Sequence, residues 1–112
     1  MSSADARIRR SDPAPIFAAL GDGTRLSLLA KLSDGETRSI AGLSADTRLT
    51  RQAITKHLRV LENAGLVSST RSGRETRFTF RPDAIVEVKS YLDHVSIQWD
   101  NALSRLRAFV ER

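Results

Sequence analysis

The chain has 112 residues, of which 40% are apolar and 28% charged, and this composition predicts one folded domain over residues 13–112 after a flexible, polar tail at residues 1–12. It contains no cysteine, which excludes disulfides, thiolate metal sites and cysteine nucleophiles. No apolar stretch approaches the roughly 20 residues that a membrane-spanning helix requires, and residues 1–10 lack the apolar segment of a signal peptide. We therefore expect a cytoplasmic protein with no membrane partner.

The net charge of +5 is concentrated in one segment of the chain. Residues 47–81 contain eight basic and two acidic side chains, so this segment has a net charge of +6 and the remainder a net charge of −1. Such a local excess of positive charge favours a polyanionic partner such as nucleic acid. A solvated basic surface would have the same composition, so the pattern within the segment has to separate the two interpretations.

The first part of the domain is predicted to contain three helices. Pro13 suits the first turn of the first helix, and Gly21 ends that helix. Asp22 is the predicted N-cap of a second helix, and Ser39 is the predicted N-cap of a short third helix.

The clearest helix of the chain follows Thr50, which is its predicted N-cap, and closes at Gly65. Ile54, Leu58 and Leu61 recur at intervals of four and three residues, which places them on one apolar face. The opposite face is rich in hydrogen-bonding side chains. These are Arg51, Gln52, Thr55, Lys56 and Arg59.

A β-hairpin is predicted next. Its strands are expected at residues 66–71 and 76–81, on either side of a four-residue turn at residues 72–75. Phe78 and Phe80 alternate with polar residues, as a half-buried strand requires. A ribbon of two strands is not stable alone, so we expect it to pack on the helices.

Pro82 starts the last helix, predicted over residues 82–111, whose apolar residues alternate at spacings of three and four over almost four heptads. An intramolecular bundle is one interpretation of this seam, but the other helices are too short to cover it. We therefore predict a homodimer. The interface is assigned to Phe17 of the first helix and to Leu92, Val95, Trp99, Leu103, Leu106 and Phe109.

Three blocks of the sequence together resemble the ArsR-type repressors. Residues 50–67 resemble the recognition-helix signature of that family, residues 20–25 the opening of its second helix and residues 72–75 its wing. Gly23 stands where the family usually has proline, and Arg48 where it often has glycine. The resemblance implies a mainly α-helical, winged helix-turn-helix fold, with a two-stranded β wing and a long C-terminal dimerisation helix.

Trp99 and the apolar residues that follow it on the last helix resemble a metal-independent branch of the family. Zinc sites need about four ligands from cysteine, histidine and carboxylate, and His57 and His94 are the only histidines of the chain. Asp93 and His94 resemble half of one sensor type's site, but the second half is missing. We predict no metal and no cofactor, and leave open whether Asp93 and His94 have a ligand role.

The predicted function is sequence-specific binding of double-stranded DNA by a homodimer that represses transcription from an inverted-repeat operator, with an unidentified inducer left open. Gln52 and Thr55 lie near the start of the recognition helix, where bases are read. The remaining predicted DNA contacts are mainly to phosphate, with entry into a minor groove as the alternative for Arg74 and Arg77 of the wing. They are Thr50, Arg51, Lys56, Arg59, Arg74 and Arg77.

Other classes of function find less support in the sequence. There is no phosphate-binding loop, no Ser/His or Cys/His pair at motif spacing and no glycine-rich cofactor turn, so we do not expect an enzyme. The alternative is a protein-interaction module that binds a different protein through its long C-terminal helix, with DNA contact secondary.

Overall fold

The structure is a computed structural model that describes residues 12–111. The predicted N-terminal tail lies outside these residues except for Asp12. The element order confirms the predicted mainly helical fold with a β wing. The elements are α1 (Ala14–Leu20), α2 (Gly23–Leu32), β1 (Arg38–Ser39), α3 (Ile40–Ser44), α4 (Arg51–Asn63), β2 (Val67–Ser72), β3 (Glu75–Phe80) and α5 (Pro82–Val110).

The three N-caps predicted from the sequence are confirmed. Asp22, Ser39 and Thr50 each accept a hydrogen bond from the backbone N–H three residues later, at 3.0, 3.1 and 3.1 Å respectively. Each bond satisfies an N–H that has no partner within its own helix. The start of the recognition helix, α4, is thereby defined at Arg51.

The wing contains a third strand that the sequence did not predict. The sheet has the antiparallel order β1-β3-β2, and in β1 Arg38 pairs with Phe78 and Ser39 with Arg77. A strand of two residues is too short to show the alternation by which strands are recognised. Its pairing attaches the wing to the start of α3.

The turn predicted at residues 72–75 is present, and both strands are offset by one residue from their predicted bounds. Ser72 and Glu75 form the last pair of the β2–β3 ladder, so the loop consists of Gly73 and Arg74 alone. Gly73 has a φ of +62°, which glycine adopts without steric cost. A positive φ at the first position of a two-residue loop is the pattern of a type II′ turn, whose twist matches that of the strands.

The hydrophobic core lies where α4 packs against α2, α3 and the sheet. Ile54, Leu58 and Leu61 of α4 have no exposed surface, and neither does Phe78 of β3. The apolar face predicted for α4 is therefore confirmed. Because this face is buried, the opposite face of the helix is turned outward.

Only the first part of α5 belongs to this core. Ala84 and Val88 are buried, and Tyr91 meets Phe17 of α1 edge-on, with ring centroids 5.9 Å apart. The side chains that follow are mostly exposed. Among the helices described for residues 12–111, none has the length and apolar character needed to cross a bilayer.

Candidate nucleic-acid interface

An open groove of about 750 Å³ separates α4 from the wing. It is lined by the start of α3, the first two turns of α4, the hairpin loop and the start of β3. We call it the helix–wing groove. The residues lining it are Ser39, Ile40, Ala41, Thr50, Arg51, Gln52, Ala53, Thr55, Lys56, Arg74, Glu75 and Thr76.

Six of the eight residues assigned to DNA from the sequence are brought together in this groove. Five belong to α4 or its cap and the sixth, Arg74, to the loop of the wing. Arg51, Gln52, Lys56 and Arg74 are exposed, so their side chains are accessible to a ligand as large as a duplex. Helix and wing thus present basic and amide groups from two sides of one groove.

Thr55 is partly engaged inside its own helix. Its hydroxyl donates a hydrogen bond of 2.7 Å to the backbone carbonyl of Arg51. A hydroxyl has a single proton to donate. Thr55 can therefore offer the groove an acceptor oxygen and a methyl group, while Gln52 offers both a donor and an acceptor.

Arg59 lies outside the groove, at the base of the wing. Its guanidinium group donates a 2.7 Å hydrogen bond to Glu62, and its central carbon lies 5.6 Å from the centre of the Phe78 ring. Arg77 also lies outside the groove and forms an ion pair of 3.1 Å with Glu75. Both arginines are thus already paired with carboxylates in the protein without DNA.

Six residues that line the groove were not assigned to DNA from the sequence. Two of them, Ala53 and Glu75, directly follow assigned residues in the chain. Ser39, Ile40 and Ala41 reach it because β1 pairs with β3, and Thr76 reaches it from β3 itself. More than 30 residues separate Thr76 from the other three. No local pattern in the sequence connects them; the only local signal was the helix cap at Ser39.

The described residues contain no group of three or more His, Asp or Glu side chains placed to hold a metal ion. Asp93 and His94 lie on exposed turns of α5, and His94 has Gln98 as a neighbour at 3.4 Å. Consecutive residues of a helix diverge by about 100°, so Asp93 and His94 do not converge on one point.

Comparisons with known proteins agree with this geometry. The sequence profile described as "Bacterial regulatory protein, arsR family" matches residues 22–69, from the cap of α2 into β2. The chain is similar to the HTH-type transcriptional regulator YuzN of Bacillus subtilis, with 48% identity over 53% of this chain and 71% of that protein. It is also similar to the HTH-type transcriptional regulator CmtR of Mycobacterium tuberculosis, with 32% identity over 83% and 78% of the two chains.

A solved structure extends the agreement over most of the fold. The ArsR-like transcriptional regulator from Rhodococcus sp. RHA1 superposes with a TM-score of 0.74 at 34% identity, covering 87% of this chain and 91% of that one. The chain belongs to the ArsR family. It is a DNA-binding transcription regulator and not an enzyme, as the sequence predicted.

In this ArsR-family chain, one carboxylate connects the recognition helix to the wing. Glu62, in the last turn of α4, accepts hydrogen bonds from the hydroxyl and the backbone N–H of Ser69 in β2, at 2.5 and 3.1 Å, and one from Arg59. The hydroxyl of Ser69, followed by the guanidinium of Arg59, holds the pKa of Glu62 below its usual value, although partial burial acts in the opposite direction. The ionised carboxylate is therefore part of what sets the angle between helix and wing.

This contact predicts a pH-dependent part of the stability. A carboxyl whose pKa is lowered by folding stabilises the protein above its unfolded pKa of 4.5, and this contribution is lost as the pH falls through the folded pKa. Glu62→Gln should lower the unfolding free energy by roughly 1–2 kcal/mol at pH 7, because the bonds to a charged acceptor are weakened. Urea titrations should show the difference from the wild type shrinking as the pH falls below about 4.5.

Glu87→Gln serves as the control, since Glu87 forms no ion pair with the other residues of the described range. That variant should stay within about 0.5 kcal/mol of the wild type at pH 7. A constant difference between Glu62→Gln and the wild type from pH 7 to pH 3 would contradict the role given to the carboxylate.

Proposed function

We propose that the protein represses transcription as a homodimer that binds an inverted-repeat operator through the helix–wing groove and its symmetry mate. The observation that carries the proposal is the convergence of Gln52, Lys56 and Arg74 on one groove, opposite a helix face that is fully buried. A major groove about 12 Å wide admits an α-helix whose first turns reach the base edges. A dimer bound over a promoter represses transcription because it excludes the polymerase from the same DNA. In a bacterium such a protein works in the cytoplasm, where the DNA lies.

Within this proposal, α4 reads bases and the surrounding cations bind phosphate. Gln52 has the donor–acceptor pair that matches the N6 and N7 edge of adenine, and Thr55 lies one turn later on the same side of the helix. Arg51, Lys56 and Arg74 form no ion pair within residues 12–111, so they are available to phosphate. Arg59 and Arg77 can bind phosphate only after their ion pairs with Glu62 and Glu75 break.

The homodimer is supported by the exposed part of α5. We call the apolar seam the set of side chains at Leu92, Val95, Trp99, Leu103, Leu106 and Phe109. Trp99 is 63% and Phe109 70% exposed in the single chain, and all of the seam except Val95 is classed as exposed. A contiguous apolar stripe of this length indicates a protein interface. The proposal requires that two copies joined along it place their recognition helices about 34–36 Å apart, one turn of DNA.

If Gln52 reads bases and the cations bind phosphate, substitutions of the two kinds of residue should have different effects on DNA binding. The test uses a duplex that the purified protein retains from a random-sequence library, called the selected duplex, in place of the operator. A duplex of scrambled sequence is the comparison. Gln52→Ala should weaken binding to the selected duplex by roughly 1–3 kcal/mol with little change on the scrambled one. Lys56→Ala or Arg74→Ala should weaken both and lower the salt slope by about one phosphate contact per subunit.

Gln98→Ala, an exposed glutamine of α5 outside the groove, is the matched control and should leave both affinities unchanged. Binding titrations at several salt concentrations provide the measurement. Equal losses on both duplexes for Gln52→Ala would mean that the reading face is assigned to the wrong residues.

Dimerisation is tested on the apolar seam itself. Replacing Leu92 and Trp99 together with glutamate should convert the dimer to monomers, because burial of this surface contributes about 25 cal/mol per Å². Val86→Glu and Ile97→Glu are matched controls: both residues are about as exposed as Trp99 but lie on the other side of α5. Sedimentation of a wild-type monomer at micromolar concentration would contradict the homodimer and favour the alternative, a module that binds a different protein.

We further infer that operator binding is independent of metal, because the donors that the described residues offer do not converge. Addition of a chelator or of zinc should leave the affinity for the selected duplex unchanged. A metal-dependent change of about tenfold or more would contradict this inference. Loss of that change in His94→Ala would locate the responsible site at Asp93 and His94.

A further inference from the structure

A polar cluster joins the end of α1, the start of α2 and the middle of α4. Its centre is Arg25, whose Nε donates a 2.6 Å hydrogen bond to the carbonyl of Ala19 and whose Nη2 donates a 3.3 Å bond to that of Ala18. Carbonyls in the last turn of a helix have no partner within that helix. Arg25 therefore caps α1 from the neighbouring helix.

The third contact of Arg25 reaches the recognition helix. Its Nη1 lies 3.3 Å from Nδ1 of His57, which follows Lys56 on α4 and is half-buried. A guanidinium group can only donate, so Nδ1 of His57 must accept and carries no proton in this arrangement. The contact therefore requires the neutral imidazole.

Asp22 offers His57 a competing arrangement. Its Oδ2 lies 3.8 Å from Nδ1 of His57 and also accepts the capping hydrogen bond from the backbone N–H of Arg25 at 3.0 Å. That backbone bond, with the nearby charge of Arg25, lowers the pKa of Asp22 and keeps it ionised. Asp22 and Arg25 are the charged groups that contact the ring among the described residues. Protonated His57 would lose its bond to Arg25 and be drawn toward Asp22.

We propose that Arg25 and His57 are positioning residues for DNA binding: neutral His57 holds α4 against the corner between α1 and α2, and its protonation loosens that hold. The inference rests on the proposed DNA-binding function and adds a form of regulation to it. The cluster also lies between the recognition helix, α4, and the long helix α5. Phe17 of α1, next to the capped carbonyls, packs against Tyr91 of α5, so a series of contacts runs from α5 through α1 and Arg25 to α4.

The test compares affinity for the selected and the scrambled duplex at pH 7.5 and pH 5.5, at constant ionic strength. Histidine ordinarily changes charge within this interval. In the wild type, the ratio of selected to scrambled affinity should fall roughly fivefold or more at pH 5.5, the effect of one hydrogen bond per subunit. Using the ratio removes the general gain in DNA affinity that an added positive charge brings.

Two variants separate positioning from general stability. In His57→Asn the amide oxygen Oδ1 takes the position of Nδ1 and accepts from Arg25 without titrating, so the affinity at pH 7.5 should be retained and the ratio should not depend on pH. In Asp22→Asn the helix cap is kept but the counter-charge for protonated His57 is removed. The midpoint of the affinity loss should therefore move to lower pH.

A wild-type ratio that is the same at both pH values, or a ratio that falls equally in His57→Asn, would overturn the proposal. If His57→Asn does not fold, an unchanged midpoint in Asp22→Asn would overturn it as well. If instead the wild type binds neither duplex at pH 7.5, it is the proposed DNA-binding function that fails.

Discussion

The burial of one face of α4 is the constraint on which the rest of the molecule depends. Ile54, Leu58 and Leu61 have no exposed surface, and each such side chain contributes about 1.5–3 kcal/mol relative to an exposed one. Their sum is comparable to the 5–15 kcal/mol that is typical of a whole domain. Turning α4 by one residue about its axis would expose this face, so the helix has one stable orientation. Gln52 and Lys56 are held on the outside as a consequence.

The wing takes its position from the same helix. Phe78 is buried against the core, and Glu62 connects the last turn of α4 to Ser69 of the sheet. The basic residues of this part of the chain consequently fall into two groups. Some, such as Arg59, are paired with carboxylates and stabilise the angle between helix and wing, whereas others, such as Arg74, line the groove and are available to release counterions from DNA.

Local signals in the sequence were sufficient for the helices, for the β-hairpin and for the family, but not for β1. The cap at Thr50 and the apolar period of α4 lie within one segment, so both could be predicted without knowing what the helix packs against. The groove could not, because β1 has two residues and brings Ser39 beside Thr76 through a long-range pairing. The ion pairs of Arg59 and Arg77 also depend on side-chain geometry, and assignment by residue type alone placed both arginines on phosphate.

The central claim is that the first turns of α4 enter two successive major grooves as parts of one dimer. Methylation interference on the selected duplex tests this claim most directly. Dimethyl sulfate methylates guanine N7 in the major groove and adenine N3 in the minor groove. We expect interference at N7 of guanine in two clusters about 10 base pairs apart, related by the symmetry of the inverted repeat. Interference confined to N3 of adenine, or a single N7 cluster, would contradict the claim.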